Sequence, residues 1–226
     1  MSDDANPHFS QRGLGPALRW SFVGEFIHRT IRPNGPPPSA AQIVAQGTAN
    51  GAIACARCHG FDGQADGSGA FPKLAGQFPQ YLAKQLRAYA SGTRQSALMQ
   101  PIARGLNAAE IDSVAQYYAS LQPSTLPSRP APAQLVARGQ QLAKVGDLNL
   151  RVQACESCHG PNGLGEPPTV PYLTGQYSHY INAQIQMFRR GTRKSQQMQD
   201  PSHALREQDI AAVAAYFEQA SRPGAK

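Results

Sequence analysis

Two short cysteine motifs decide how this chain folds: CARCH at residues 55–59 and CESCH at residues 155–159. Each has the form C-x-x-C-H, the attachment signature of c-type haem. Two thiols at this spacing can form thioethers with one porphyrin, and the adjacent histidine then supplies an axial nitrogen to the iron. The sequence therefore predicts two covalently attached haem c groups, with iron. The predicted attachment residues are Cys55, Cys58, His59, Cys155, Cys158 and His159.

Two other uses of paired cysteines fit this sequence poorly. A zinc ribbon usually separates its cysteine pairs by about 15–20 residues, whereas residues 58 and 155 are far apart. A thioredoxin-like redox pair belongs to a βαβ pattern, and the sequence near both motifs has little strand character. The motifs also use all 4 cysteines of the chain, which favours haem attachment.

The two motifs belong to an internal repeat. Pro72, Leu74, Gly76 and Gln77 correspond to Pro171, Leu173, Gly175 and Gln176, and Gly92-Thr93-Arg94 corresponds to Gly191-Thr192-Arg193. We predict a first haem domain at residues 41–121 (the first repeat) and a second at residues 133–222 (the second repeat). A proline-rich linker, residues 122–132, joins them, and residues 1–40 form an N-terminal extension. The second repeat carries extra residues around Lys144 to Val152.

Composition and periodicity predict an all-α fold. The 226 residues are 41% hydrophobic and 15% charged, which excludes a disordered chain. The 19 prolines and 21 glycines exclude a coiled coil. Apolar residues recur at helical spacing after Pro79 and after Asn107. We expect three helices in each repeat, with long loops in which a haem supplies the missing core.

Two matched methionines are candidate sixth ligands of the irons. Met99 and Met198 occupy equivalent positions, and both are predicted to lie in loops just after a helix-ending glycine. Histidine–methionine ligation raises the reduction potential and closes the iron to substrates. The alternative for any methionine is core packing, which we expect for Met187 because its counterpart is Ala88. His203 is the substitute sixth ligand if Met198 does not bind the second iron.

The chain resembles the cytochrome c4 family, whose members are two-domain dihaem class I cytochromes c. Besides the two motifs, the resemblance rests on FPKLAGQ at residues 71–77, YLAKQL at 81–86 and the methionine segments. It covers about residues 41–222. It implies tandem domains related by a pseudo-twofold axis, with haem propionates at the domain interface. It also implies that the carbonyls of Pro72 and Pro171 accept a hydrogen bond from the axial histidines.

The resemblance implies one-electron transfer in the periplasm. We expect a respiratory dehydrogenase or quinol-oxidising complex as donor, and a terminal oxidase or reductase as acceptor. An alternative is a dihaem subunit of a membrane-associated enzyme complex, with residues 1–40 as a tether or partner-binding arm. A dihaem peroxidase would need an open iron, which two methionine ligands disfavour. The start of the chain lacks the features of a secretory signal, so we expect that an export signal or anchor is missing from it.

The net charge of +7 indicates a basic surface. No nucleic-acid-binding motif accompanies it, so no nucleic-acid partner is predicted. Four cations cluster before Met198: Arg189, Arg190, Arg193 and Lys194. They predict either a docking patch for an acidic redox partner or a solvated helix end, where cations favour the helix dipole.

Overall fold

The structure is a computed structural model that describes residues 38–123 and 129–221. The predicted N-terminal extension therefore lies almost entirely outside the described residues, as does the middle of the predicted linker. The domain boundaries stay predictions. In the described part of the chain, no helix combines the length and the apolar character that a membrane crossing requires.

The described residues fold into helices and contain no strand, only isolated bridges, which confirms the predicted all-α class. The first repeat contains α1 (Ala40–Gln46), α2 (Ala56–His59), α3 (Pro79–Ser91), α4 (Met99–Arg104) and α5 (Ala108–Ser120). The second repeat contains α6 (Ala133–Lys144), α7 (Glu156–His159), α8 (Ser178–Arg189), α9 (Gln196–Ala204) and α10 (Glu207–Gln219). A single 3-10 turn, Pro161–Gly163, follows α7.

The prediction of three helices in each repeat was wrong, because two short helices were missed. One is the single turn formed by each cysteine motif, and the other contains each matched methionine. The long helices begin and end as the sequence predicts. Gly92 follows α3 with φ 80°, a left-handed conformation that glycine adopts without steric cost. Asn107 and Glu110 form a reciprocal capping box at the start of α5.

Each repeat has its own apolar core, in which its last helix packs against its first. In the first repeat the core includes Ile43, Val44, Leu82, Ile111, Val114 and Tyr118. In the second it includes Leu142, Ile181, Ile185, Ile210, Val213 and Phe217. Several of these core residues, together with the cysteine motifs and both matched methionines, also line a cavity.

A glycine sets how closely α6 and α10 approach. A Cβ atom on Gly139 would lie 2.0 Å from the carbonyl oxygen of Ala212, far inside van der Waals contact. The equivalent residue in the first repeat, Gly47, instead ends α1 with φ 82°. The same residue type therefore ends a helix in one repeat and permits tight helix packing in the other.

The two repeats contact each other through paired equivalent segments. An isolated antiparallel bridge joins Arg94 to Arg193, and the Gln95 amide donates to the Thr192 carbonyl at 2.9 Å. Gln77 and Gln176 also bond to the backbone of the opposite repeat. Equivalent residues thus meet across the interface, as a pseudo-twofold arrangement requires.

Candidate haem sites and the interface between the repeats

Each cysteine motif forms one helical turn that presents its reactive groups together. In the first repeat, Cys55 precedes α2, and its carbonyl accepts from the His59 amide at 3.0 Å. The second repeat repeats this turn, with a 2.9 Å bond between the His159 amide and the Cys155 carbonyl. All four cysteines and both histidines line one cavity. The thiols and the imidazole of each motif are therefore brought to one wall.

Both motif histidines are held by a backbone carbonyl. Nδ1 of His59 donates to the Pro72 carbonyl at 3.1 Å, and Nδ1 of His159 donates to the Pro171 carbonyl at 3.0 Å. A carbonyl only accepts, so Nδ1 carries the proton in each ring and Nε2 is left as the basic nitrogen. This is the hydrogen bond that the family resemblance implies.

Burial keeps both imidazoles neutral. It lowers the pKa of His59, and it lowers the pKa of His159 in the same way, although the bond to proline acts in the opposite direction. Neutral imidazole is the form that ligates a metal. Both rings are therefore in the protonation state that an axial ligand needs.

The first cysteine of each motif is poorly suited to thiol chemistry. Burial raises the pKa of Cys55 to about 11 and that of Cys155 to about 11. Because the thiolate is the form that binds metals and attacks disulfides, neither residue is activated for a zinc site or for redox exchange. This agrees with a thioether role.

One cavity of about 1450 Å3 extends across both repeats, larger than the roughly 300–1,000 Å3 of a pocket for one small ligand. Met99 and Met198 both line it. The prediction that they lie in loops was wrong: Met99 is the first residue of α4, and Met198 lies within α9. At the start of α4 the Ser96 Oγ accepts from the Met99 amide, and within α9 the Ser202 hydroxyl donates to the Met198 carbonyl.

Two other residues of the second repeat, Met187 and His203, were considered from the sequence beside the matched methionines. Met187 also lines the cavity, from α8, although the sequence indicated only packing for it. His203 is exposed on α9 and is not among the cavity-lining residues.

The predicted docking patch is largely occupied by internal contacts. Arg189 bonds to Glu207 and to two backbone carbonyls, and Arg193 is buried between the repeats. Of the four cations, only Arg190 and Lys194 are exposed. The sequence pattern grouped residues that point in different directions from the end of α8.

Sequence reasoning missed a polar cluster at the centre of the interface. It consists of Arg94, Arg193, Tyr81, Tyr180, Gln85 and Gln184, hereafter the interface arginine cluster. Burial would raise the pKa of Tyr180, but Arg94 and Arg193 outweigh it and lower that pKa. The signal was available, because Arg94 and Arg193 are equivalent residues of the repeat, as are Tyr81 and Tyr180.

Comparison with known proteins agrees with this geometry. A sequence model described as cytochrome c matches residues 44–122 and, a second time, residues 136–221. The chain belongs to the cytochrome c family. It is 35% identical over 184 residues to cytochrome c4 from Pseudomonas aeruginosa, a match that covers 79% of this chain and 89% of that protein. The predicted resemblance to cytochrome c4 is therefore confirmed.

Two other relatives have a more specific description. This cytochrome c is 40% identical over 142 residues to a thiosulfate dehydrogenase electron acceptor from Thiomonas intermedia, covering 63% of this chain and 65% of that protein. It also resembles the solved thiosulfate dehydrogenase TsdBA from Marichromatium purpuratum, with TM-score 0.73 and 35% identity. That match covers 79% of this chain but only 39% of the solved one. The chain therefore spans less than two thirds of either relative.

As a cytochrome c with two attachment motifs, the protein carries two covalently attached haem c groups. The residues present fit them: a large shared cavity, a cysteine pair in each repeat, and neutral histidines with Nε2 left basic.

Proposed function

We propose that the protein accepts single electrons from a periplasmic dehydrogenase and passes them to a respiratory oxidase or reductase. In this proposal His59 and Met99 ligate one iron, and His159 and Met198 ligate the other. The observation that carries it is the cavity, which is lined by the motif histidine and the matched methionine of each repeat. Met187 of the second repeat lines it as well. When bound, each haem supplies an iron that changes its charge by one electron.

The chain's own residues support a carrier role by keeping the ligands fixed. The proline carbonyls orient both imidazoles, and the serine contacts hold the helices that bear the methionines. A carrier works best when its ligand set is the same before and after the electron arrives. A ligand fixed by backbone contacts on a packed helix satisfies that requirement.

The donor that the relatives favour is a thiosulfate dehydrogenase, since two of them are named for that enzyme. The test mixes the oxidised holoprotein with thiosulfate and a purified thiosulfate dehydrogenase in a stopped-flow spectrometer. We expect both haems to be reduced much faster than with thiosulfate alone. If a quinol-oxidising complex reduces the protein rapidly and the dehydrogenase does not, the proposed donor is wrong.

Two exposed apolar residues of the first repeat are suited to brief contact with a partner. Ile53 and Leu98 are 40% and 46% exposed, and both also line the cavity. Redox encounters usually bury small interfaces, so two such residues can contribute much of the contact. We expect Leu98→Gln to slow reduction by the dehydrogenase several-fold without changing the reduction potential.

Leu148 provides the matched control for that variant. It is 95% exposed in the second repeat and is not among the cavity-lining residues. Leu148→Gln should leave the rate of reduction unchanged. Equal rates for the two variants would argue against docking at Leu98 while leaving the ligand assignment intact.

The alternative, a subunit of a membrane-associated complex held through residues 1–40, concerns residues outside those described. Its test compares the full chain with a chain that begins at residue 41. Co-purification of a catalytic subunit with the full chain alone supports the alternative, and equal behaviour of the two chains contradicts it.

A further inference from the structure

We propose that the loop formed by residues 144–152, hereafter the insert loop, binds a lipid surface with anionic headgroups, and that Val145 and Leu148 enter the lipid interface. The loop contains the extra residues of the second repeat. The proposal goes beyond the proposed function, because it concerns the surface on which the protein is held and requires no particular electron donor or acceptor.

The insert loop exposes two large apolar side chains. Leu148 is 95% exposed and Val145 is 77% exposed, the two highest values among the exposed large apolar residues of the described chain. One exposed apolar residue is ordinary, but these two lie three positions apart on one loop. The connection at residues 48–51 of the first repeat contains no large apolar residue. The fold of a repeat therefore does not require these side chains.

Hydrogen bonds and packing hold the insert loop in one shape. Asp147 and Val152 exchange two backbone hydrogen bonds, at 2.8 and 2.9 Å, and the Arg151 amide donates to the Leu148 carbonyl at 3.1 Å. Val152 itself is buried in the core of the second repeat. Leu148 is thus presented on an ordered turn, so little conformational entropy remains to be lost when it binds.

The charges on the insert loop are those that attract anions. Lys144 and Arg151 are exposed, and none of the ion pairs among the described residues includes either of them. Asp147 is the one acidic residue of the loop, and its carboxylate is paired with Arg138 at 2.7 Å. The exposed part of the loop therefore carries two unpaired positive charges beside its two apolar side chains.

A lipid surface suits this arrangement better than a protein surface does. A specific protein interface buries about 800 Å2 on each partner, whereas the insert loop offers two apolar side chains on a highly exposed turn. Apolar groups that enter the headgroup boundary beside cations that meet anionic lipids are the pattern of interfacial membrane contact. One signal alone binds a membrane weakly, and the two together bind it more firmly. Both signals are present on this loop.

The insert loop is separate from the haem sites. Val145, Leu148 and Lys144 are not among the residues that line the cavity, although Arg151 is. Lipid contact through the first three residues therefore leaves the residues around both haems as they are. Lys144 is the better cation to replace in a test, because its removal does not change the cavity wall.

The test is co-sedimentation of the full-length holoprotein with vesicles of phosphatidylcholine that contain about one third phosphatidylglycerol. We expect the parent protein to bind these vesicles and to bind pure phosphatidylcholine vesicles much more weakly. Leu148→Gln should weaken binding to the anionic vesicles roughly tenfold, because a buried apolar side chain is lost. Lys144→Gln should weaken it about fivefold, and this effect should vanish in about 1 M salt.

Two matched controls come from the first repeat. Phe61→Gln removes an exposed apolar side chain, and Arg87→Gln removes an exposed cation that is paired with Asp112. Each should change vesicle binding by no more than about twofold. If Leu148→Gln does not fold, Val145→Gln repeats the measurement on the same loop.

Three outcomes would overturn the proposal. One is a parent protein that does not bind the anionic vesicles, and another is equal binding by the parent and the insert-loop variants. The third concerns a protein partner in place of lipid. If Leu148→Gln slows oxidation of the reduced protein by a purified terminal oxidase in the absence of vesicles, and vesicle binding is unchanged, the loop is a protein-docking surface.

Discussion

Gln77 and Gln176 make the same pair of hydrogen bonds in opposite directions between the two repeats. The Gln77 amide donates to the Tyr172 carbonyl at 2.9 Å, and its oxygen accepts from the Tyr172 amide at 3.1 Å. Gln176 donates to the Lys73 carbonyl and accepts from the Lys73 amide, both at 3.0 Å. Each glutamine side chain thus bonds both the N–H and the C=O of one residue in the opposite repeat. That residue directly follows the proline whose carbonyl binds the motif histidine.

Gln77→Ala and Gln176→Ala should therefore weaken the contact between the repeats by similar amounts. Each removes three hydrogen bonds, two of them between the repeats. At roughly 0.5–1.5 kcal/mol apiece, we expect a loss of about 1.5–4.5 kcal/mol from the free energy of unfolding. Thermal unfolding of the holoprotein measures it. Gln140→Ala, at an exposed position on α6, is the control, and equal melting temperatures for all three variants would contradict the prediction.

The methionine assignment predicts a large change in potential on removal of either thioether. Axial ligands set haem potentials over a range of about 0.8 V, so Met99→Ala and Met198→Ala should each lower one potential by on the order of 0.1 V and abolish the absorption band of methionine-ligated iron at that haem. Met187→Ala, which also removes a methionine from the cavity wall, should keep both bands. If the Met187 variant loses a band and the Met198 variant does not, Met187 rather than Met198 ligates the iron of the second repeat.

A buried carboxylate should make the second repeat sensitive to acid. Burial of Asp209 opposes its ionisation, but hydrogen bonds from Arg206 and Arg138 outweigh burial and lower its pKa. Because the folded pKa is depressed, the stabilisation is present above the ordinary aspartate pKa of about 3.9 and is lost as pH falls through the folded value. Denaturant unfolding at a series of pH values should show this decline.

Asp209→Asn should remove most of that dependence and cost about 3 kcal/mol near neutral pH, since it leaves a guanidinium without its buried partner. The equivalent residue, Glu110, instead caps α5 and is exposed, so Glu110→Gln should cost under about 1 kcal/mol. If both variants lower the free energy of unfolding by similar amounts, the buried ion pair of Asp209 contributes no more to stability than the exposed cap.

The tight contact between α6 and α10 predicts that Gly139 tolerates no side chain. A Cβ would collide with the backbone at Ala212 and Cβ of Tyr216, and overpacking of this kind costs about 1–3 kcal/mol. Gly139→Ala should lower the midpoint of denaturant unfolding, with Gln140→Ala, one position along α6, as the control. An unchanged midpoint would mean that α6 and α10 can move apart with little loss in the free energy of unfolding.

The cysteine motifs, the repeat and the long helices could be predicted because local sequence determines them. A C-x-x-C-H motif is recognised from five adjacent residues, and a capping pair such as Asn107 and Glu110 depends on neighbours three positions apart. The helices that carry Met99 and Met198 were missed because they are short, and each contains a proline, Pro101 in α4 and Pro201 in α9. Such helices are stabilised by packing and by serine contacts more than by propensity.

The sequence by itself determined that this is an all-α cytochrome c with two attachment motifs, because covalent attachment and helix periodicity are properties of neighbouring residues. Only the tertiary structure decided that Arg94 and Arg193 meet in one buried cluster, while Arg190 and Lys194 remain exposed. Charge along the chain does not tell which side chains face solvent. That depends on how two repeats pack, and on the neutral tyrosines and glutamines that each repeat presents to the other's arginine.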